Sequence, residues 1–167
     1  MRKMTEQNLR AAFAGESQAH MKYLIFSERA EREKKTNLAR LFKAISFAEQ
    51  VHATNHLRAL GELGDSSKNL QTGIDGETYE VDEMYPAFRT IAELQKEQSA
   101  VRSTTYALEA EKIHEEMYTK AKKTVDQGTD IAIGDIYICD VCGYTVDGEA
   151  PAVCPICGAK IERFKKF

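Results

Sequence analysis

Two Glu-x-x-His strings, Glu49–His52 and Glu111–His114, and two Cys-x-x-Cys pairs, Cys139/Cys142 and Cys154/Cys157, are spaced for metal chemistry. On a helix, residues three apart share one face about one turn apart, so a Glu and a His at this spacing can reach the same metal pair. One such string in a Glu-rich chain is weak; two in separate helical halves are a pattern. Carboxylates at matching distances join them. Glu16 precedes Glu49 by 33 residues and Glu80 precedes Glu111 by 31, so an antiparallel hairpin brings each pair to one height. One Glu from each of two helices, plus a Glu-x-x-His from each of the other two, is the ligand set of carboxylate-bridged dimetal proteins. Four carboxylates and two imidazoles suit iron or manganese, and two divalent ions offset the four negative charges. Glu83 is a further carboxylate, one turn beyond Glu80. It is either another ligand or an exposed acid favoured by the helix dipole ahead of Pro86.

The cysteines all lie in the last 30 residues, and each second cysteine is followed by glycine, Gly143 or Gly158. Glycine there lets the backbone turn and aim N–H groups at sulfur. Four thiolates at this spacing make a tetrahedral site for zinc or for a single iron. Zinc would staple the segment, whereas iron would add a one-electron redox centre.

The positioning elements follow from where helix breakers are missing. Between Arg2 and Leu60 the only Gly or Pro is Gly15, and 87–127 contains neither. Each stretch is too long for one globular helix and is expected to fold as an antiparallel pair. The first turn is expected in the charged run 31–37 and the second near Gln95 to Ser99. Gly61 to Tyr79, with four glycines, is expected to be the connection between the hairpins. Core-facing stripes run through Leu9, Phe13, Glu16, His20 and Tyr23; through Leu38, Phe42, Ile45, Glu49, His52 and His56; and through Val101, Thr104, Leu108, Glu111 and His114. Every stripe mixes carboxylate or imidazole with apolar residues. An ionised carboxylate on a buried seam is strongly disfavoured without a partner or a metal. His20 and His56 are expected behind the ligand shell. Tyr23, two turns beyond Glu16, is either a core tyrosine or a hydrogen-bond partner to a ligand carboxylate.

The formal net charge of −3 over 167 residues excludes a broad basic field for nucleic acid. No apolar run approaches the ~20 residues of a membrane span, and the first ten residues carry no apolar leader core, so a cytoplasmic protein is expected.

These motifs, in this order, resemble the rubrerythrin family along the whole chain. The resemblance rests on the Glu16 helix, Glu49-Gln50-Val51-His52, Tyr79-Glu80-Val81-Asp82-Glu83-Met84-Tyr85-Pro86, Glu111-Lys112-Ile113-His114-Glu115 and the two cysteine knuckles. It implies a mainly α fold: a ferritin-like four-helix bundle (1–130) followed by a small rubredoxin-like β knob (131–167). It implies two iron ions held by Glu16, Glu49, His52, Glu80, Glu83, Glu111 and His114, and one iron held by Cys139, Cys142, Cys154 and Cys157. Glu49 and Glu111 would bridge, and Glu83 would exchange with His52 on one iron as its charge changes. The implied activity is a peroxidase reducing hydrogen peroxide to water, protective in oxidative stress, with electrons relayed through the four-cysteine iron. No dinucleotide fingerprint is present, so the donor would be external, a rubredoxin or an NAD(P)H-dependent reductase. A homodimer is expected, with one chain's knob facing the other chain's bundle. Exchange of helices through 61–79 is one arrangement open to it. Two features depart from the family: the second hairpin's turn is short and lacks glycine, and only eleven residues separate the knuckles. The alternatives are a ferroxidase or oxygen-reducing ferritin-like protein, a non-catalytic electron carrier, and an interaction module held by a zinc ribbon.

Overall fold

The computed structural model describes all residues, Met1–Phe167, in two compact units, Met1–Gly64 and Asp65–Phe167. The first unit is a helical hairpin of α1 (Lys3–Arg32) and α2 (Thr36–Leu60). Its contact face is built from small residues: Ser27, Ala30, Ala39, Ser46 and Ala53 are buried. Small side chains let the backbones approach, and polar stitches become possible. Ser27 Oγ donates to the Ala39 carbonyl at 2.8 Å, and Ser46 Oγ donates to the His20 carbonyl at 2.9 Å. His20 Nδ1 meets the Ser46 carbonyl at 2.9 Å, so this histidine is satisfied within the hairpin. Several large apolar residues of the hairpin remain exposed in the single chain: Leu38, Leu41, Ile45, Met21, Ile25 and Phe26.

The second unit holds α3 (Ser66–Tyr79), a π-helical turn (Glu80–Met84), α4 (Tyr85–Leu94) and α5 (Gln98–Val125), followed by a three-stranded sheet. The first three run on as one bent helix. Most of the connection expected over 61–79 is therefore helix, and only 61–65 links the hairpins. Asp65 caps α3, its side chain accepting from the Lys68 N–H. One of the glycines read as breakers, Gly73, serves packing here. A Cβ on Gly73 would lie 3.2 Å from the Tyr118 ring, so the glycine lets α3 approach α5. The π turn has a local cause in Pro86, which has no N–H for the carbonyl four residues back and whose ring collides with it. The Tyr85 N–H instead reaches back five residues to the Glu80 carbonyl.

Both hairpin turns fall within the expected stretches and share one geometry. Lys34 and Lys96 take the left-handed conformation, with φ of 59° and 60°. Lys35 N–H bonds the Ala30 carbonyl and Glu97 N–H bonds the Ala92 carbonyl, closing each helix end. The glycine missing from the second turn is replaced by a lysine that bears the left-handed strain.

The C-terminal sheet has the order β2-β1-β3, all antiparallel, from β1 (Ile136–Cys139), β2 (Thr145–Asp147) and β3 (Phe164–Lys166). Its core is the cysteine cluster, with Tyr144, Ile156 and Phe164 packed around it. The mainly α architecture with a small C-terminal β element is as expected. No helix is long and apolar enough to cross a membrane.

Candidate metal centres

Three clusters of ligand-type side chains stand out. Cys139, Cys142, Cys154 and Cys157 have all four sulfurs within 4.8 Å of one another. Cys142 and Cys154 Sγ are 3.5 Å apart, and Cys139 and Cys157 Sγ are 3.6 Å apart. With metal–sulfur bonds of about 2.3 Å, the edge of a tetrahedron is roughly 3.8 Å, so the set fits one tetrahedral ion without rearrangement. The knuckle glycines do what their position implies: Gly143 and Gly158 have φ of 82° and 75°. Burial raises Cys142 and Cys157 above the usual thiol range. Cys154 is also desolvated, but N–H bonds from Cys157 and Ile156 outweigh this and hold it below that range.

The other two clusters are Glu16–Glu49–His52 in the first unit and Glu77–Glu111–His114 in the second. His52 Nδ1 lies 2.9 Å from Glu49 Oε2, and His114 Nδ1 lies 2.6 Å from Glu111 Oε2. The two carboxylates are mostly buried, at 17 % and 18 % side-chain exposure, while His52 is 54 % exposed and His114 28 %. Each cluster offers two carboxylates and one imidazole, which is half of a dimetal ligand set.

Glu77 is the residue that sequence reasoning missed. It sits one α-helical turn before Glu80, inside the stretch expected to be a loop. A signal for it exists in the hairpin register. Glu16 lies 18 residues before the left-handed Lys34 and Glu49 lies 15 after it; Glu77 lies 19 before Lys96 and Glu111 lies 15 after it. The one-residue difference is what a π turn inserts. Glu80 stays near the cluster, since the Glu111 charge helps raise its pKa after burial. Glu83 is exposed and lies outside the group. It falls within the widened turn, where residues three apart no longer share a face. Tyr23 packs its ring against Phe26 and Phe42, at centroid distances of 6.2 and 6.3 Å. The tyrosine that senses the second cluster is Tyr85, raised first by burial and then by the charges of Glu80, Glu111 and Glu77.

Three carboxylates this close, Glu77, Glu80 and Glu111, cannot all stay charged without a compensating cation. Burial and the Glu111 charge push Glu77 up to about 7. The His114 hydrogen bond draws Glu111 down, and the same bond raises His114. A carboxyl raised in the folded state stabilises most at low pH, where it is protonated in both states. That contribution is lost as pH rises from its ordinary value of 4.5 through about 7, because only the unfolded chain has released the proton. Metal-free protein should therefore lose stability across this window in urea titrations, and Glu77→Gln should flatten the loss. An unchanged slope in that variant would assign the effect to another group.

Known proteins place these clusters. Residues 7–122 match the rubrerythrin family profile, and residues 137–165 match the rubredoxin-like domain of rubrerythrin. The chain belongs to the rubrerythrin family. It is 45 % identical to rubrerythrin-2 of Clostridium acetobutylicum, over 98 % of this chain and 97 % of that protein. It is 35 % identical to nigerythrin of Nitratidesulfovibrio vulgaris, over 98 % of this chain and 86 % of that one. The solved structure of partially reduced nigerythrin resembles it with a TM-score of 0.58 at 33 % identity, over 98 % of this chain and 86 % of that one. The ferritin-like fold with its rubredoxin-like appendage, expected from the sequence, is thereby shown. So are the cofactors of a rubrerythrin, a di-iron site of Glu and His ligands and an iron on four cysteines, whose donor sets are both present.

The knob does not stand off from the helices of its own unit. Tyr106 of α5 packs against the cysteine core, and a Cβ on Gly143 would lie 3.6 Å from Ala110 of α5. His114 Nε2 is 2.8 Å from Thr145 Oγ1 at the start of β2. Within this unit the knob faces α5 of its own chain. Small residues on that side of the helix, Ala107 and Ala110, make room for it.

Proposed function

We propose that this protein is a peroxidase that reduces hydrogen peroxide to water at the di-iron site and is re-reduced one electron at a time through the four-cysteine iron, protecting a cytoplasm from peroxide. The residues that would hold the two irons are the carboxylates of Glu16, Glu49, Glu77, Glu80 and Glu111 and the imidazoles of His52 and His114. Glu83 is left out because it lies outside the Glu77–Glu111–His114 group. Iron at these ligands supplies Lewis acidity and the two electrons that cleaving an O–O bond takes. The chain supplies the rest. Tyr85, raised above its ordinary range, keeps its hydroxyl proton beside the carboxylates, where making water consumes protons.

The observation that carries the reading is His114. It belongs to the carboxylate cluster and touches the cysteine knob as well, so a redox centre sits next to a dimetal ligand. A protein that only stored or oxidised ferrous iron would have no use for that arrangement. The external electron donor is a rubredoxin-like carrier or an NAD(P)H-dependent reductase. The working form is a homodimer in which the first unit of one chain covers the second unit of its partner. This reading is supported by the exposed seam that runs beside the half-site of the first unit, at Leu38, Leu41 and Ile45.

Fully reduced protein, mixed without oxygen with one equivalent of hydrogen peroxide per di-iron site, tests the activity. The ferric four-cysteine colour should return as peroxide disappears, while Glu49→Ala stays bleached. Iron-loaded protein that stays bleached with peroxide intact would point to ferrous-ion or oxygen oxidation instead.

A further inference from the structure

From the network around His114 we infer that Thr145, a knob residue outside the ligand set, is a positioning residue: it sets which ring nitrogen of His114 is free to bind metal. The inference rests on the di-iron reading above. Thr145 is buried, at 6 % exposure. Its hydroxyl has two partners, the Gly143 carbonyl at 3.0 Å and His114 Nε2 at 2.8 Å. A carbonyl can only accept, so the Thr145 proton goes to Gly143. The oxygen is then left to accept, and the proton it accepts is the one on His114 Nε2. With that nitrogen committed to N–H, Nδ1 is the nitrogen left to bind metal: in the metal-free chain it donates its proton to Glu111 at 2.6 Å, and a metal ion would take the place of that proton. The metal-facing nitrogen is thus selected from the far side of the ring, by a hydroxyl borne on the cysteine knob.

The carbonyl that orients the hydroxyl is itself fixed. Gly143 is held in the left-handed conformation, and its N–H bonds the Cys139 carbonyl at 2.9 Å. The knuckle that shapes the four-cysteine site therefore also aims Thr145. His52 has no comparable restraint: its hydrogen bond is to Glu49 through Nδ1, and more than half of its side chain is exposed. The two imidazoles of the centre are unequal: His114 is bonded through both ring nitrogens, and His52 through Nδ1 to Glu49.

The test uses the full chain with zinc in the four-cysteine site and cobalt(II) titrated into the bundle against a competing chelator. Thr145→Val keeps the shape and removes the hydroxyl; Thr145→Ser keeps the hydroxyl. Partners that orient a metal-bound histidine are typically worth roughly 10- to 100-fold in affinity. Thr145→Val should weaken cobalt binding by that much, and Thr145→Ser should restore most of it. In the cobalt protein the shifted, solvent-exchangeable ring N–H proton of His114 should be sharp in the unsubstituted chain and in Thr145→Ser. In Thr145→Val it should be broadened or lost by exchange. Unchanged affinity and an unchanged resonance in Thr145→Val overturn the inference, as does an equal loss in Thr145→Ser, which would mark a packing role. Zinc retained by all three chains shows that the knob is folded. A chain with its natural Thr145 that takes up no cobalt in the bundle sinks the di-iron reading, and this inference with it.

Discussion

Replacing Glu77 by alanine should strip the bundle of its metal pair and leave the four-cysteine iron in place. Glu77, Glu111 and His114 converge within one small group, and burial raises Glu77 toward protonation as long as no cation is present. Removing it takes away one of the few anions that make the site attractive to divalent ions. A partner outside the ligand shell already costs up to about 100-fold in affinity, so a lost ligand should cost at least that much. Glu83→Ala is the matched control. Its side chain is exposed, and such surface changes usually shift free energies by about 0.5 kcal/mol or less, roughly twofold in binding. Iron counted per chain, with the ferric cysteine colour as internal reference, separates the two. The opposite result, metal lost with Glu83→Ala and kept with Glu77→Ala, would return the ligand role to the residue the sequence first suggested.

That contrast shows what was legible in the sequence. Glu49–His52, Glu111–His114 and the cysteine pairs could be read because helix spacing and knuckle spacing are local, and the structure keeps local geometry. Both hairpin turns could be placed because charged, apolar-poor runs interrupt the stripes. The third helix was obscured by glycine. Gly73 and Gly76 look like breakers in composition, whereas Gly73 lets α3 pass close to Tyr118, a reason that lies on another helix. With 61–79 read as a connection, the carboxylate pair falls on Glu80 and Glu83, one turn beyond Glu77 and Glu80. The π turn completed the displacement, because counting by three presumes an α-helix and Pro86 prevents one there. The placement of the knob was illegible for a similar reason. Nothing local to Thr145 announces that His114, 31 residues earlier, will find its hydroxyl.

Mixing two inactive chains should restore activity if the bundle is built from two copies. Glu49→Ala damages the half-site of the first unit and Glu111→Ala damages that of the second. Each alone should bind no metal pair and turn over no peroxide. In an exchanged heterodimer of the two, one bundle combines both damaged units and is lost. The other combines the undamaged first unit of one chain with the undamaged second unit of its partner. After joint unfolding and refolding, random pairing makes about half of the dimers mixed, so about a quarter of the bundles should regain metal and activity. Chains that keep both units in one bundle leave one lesion in every site and recover nothing. Pairing a first unit with a second unit would cover the apolar seam. A Leu or Ile fully covered contributes roughly 1.5–3 kcal/mol, and Leu38, Leu41 and Ile45 are exposed in each copy. Adding Ile45→Asp to the Glu111→Ala chain, which supplies the first unit of the restored bundle, should abolish the rescue, because an uncompensated carboxylate is strongly disfavoured on a buried seam. Its four-cysteine colour should persist, since those ligands lie wholly within the second unit.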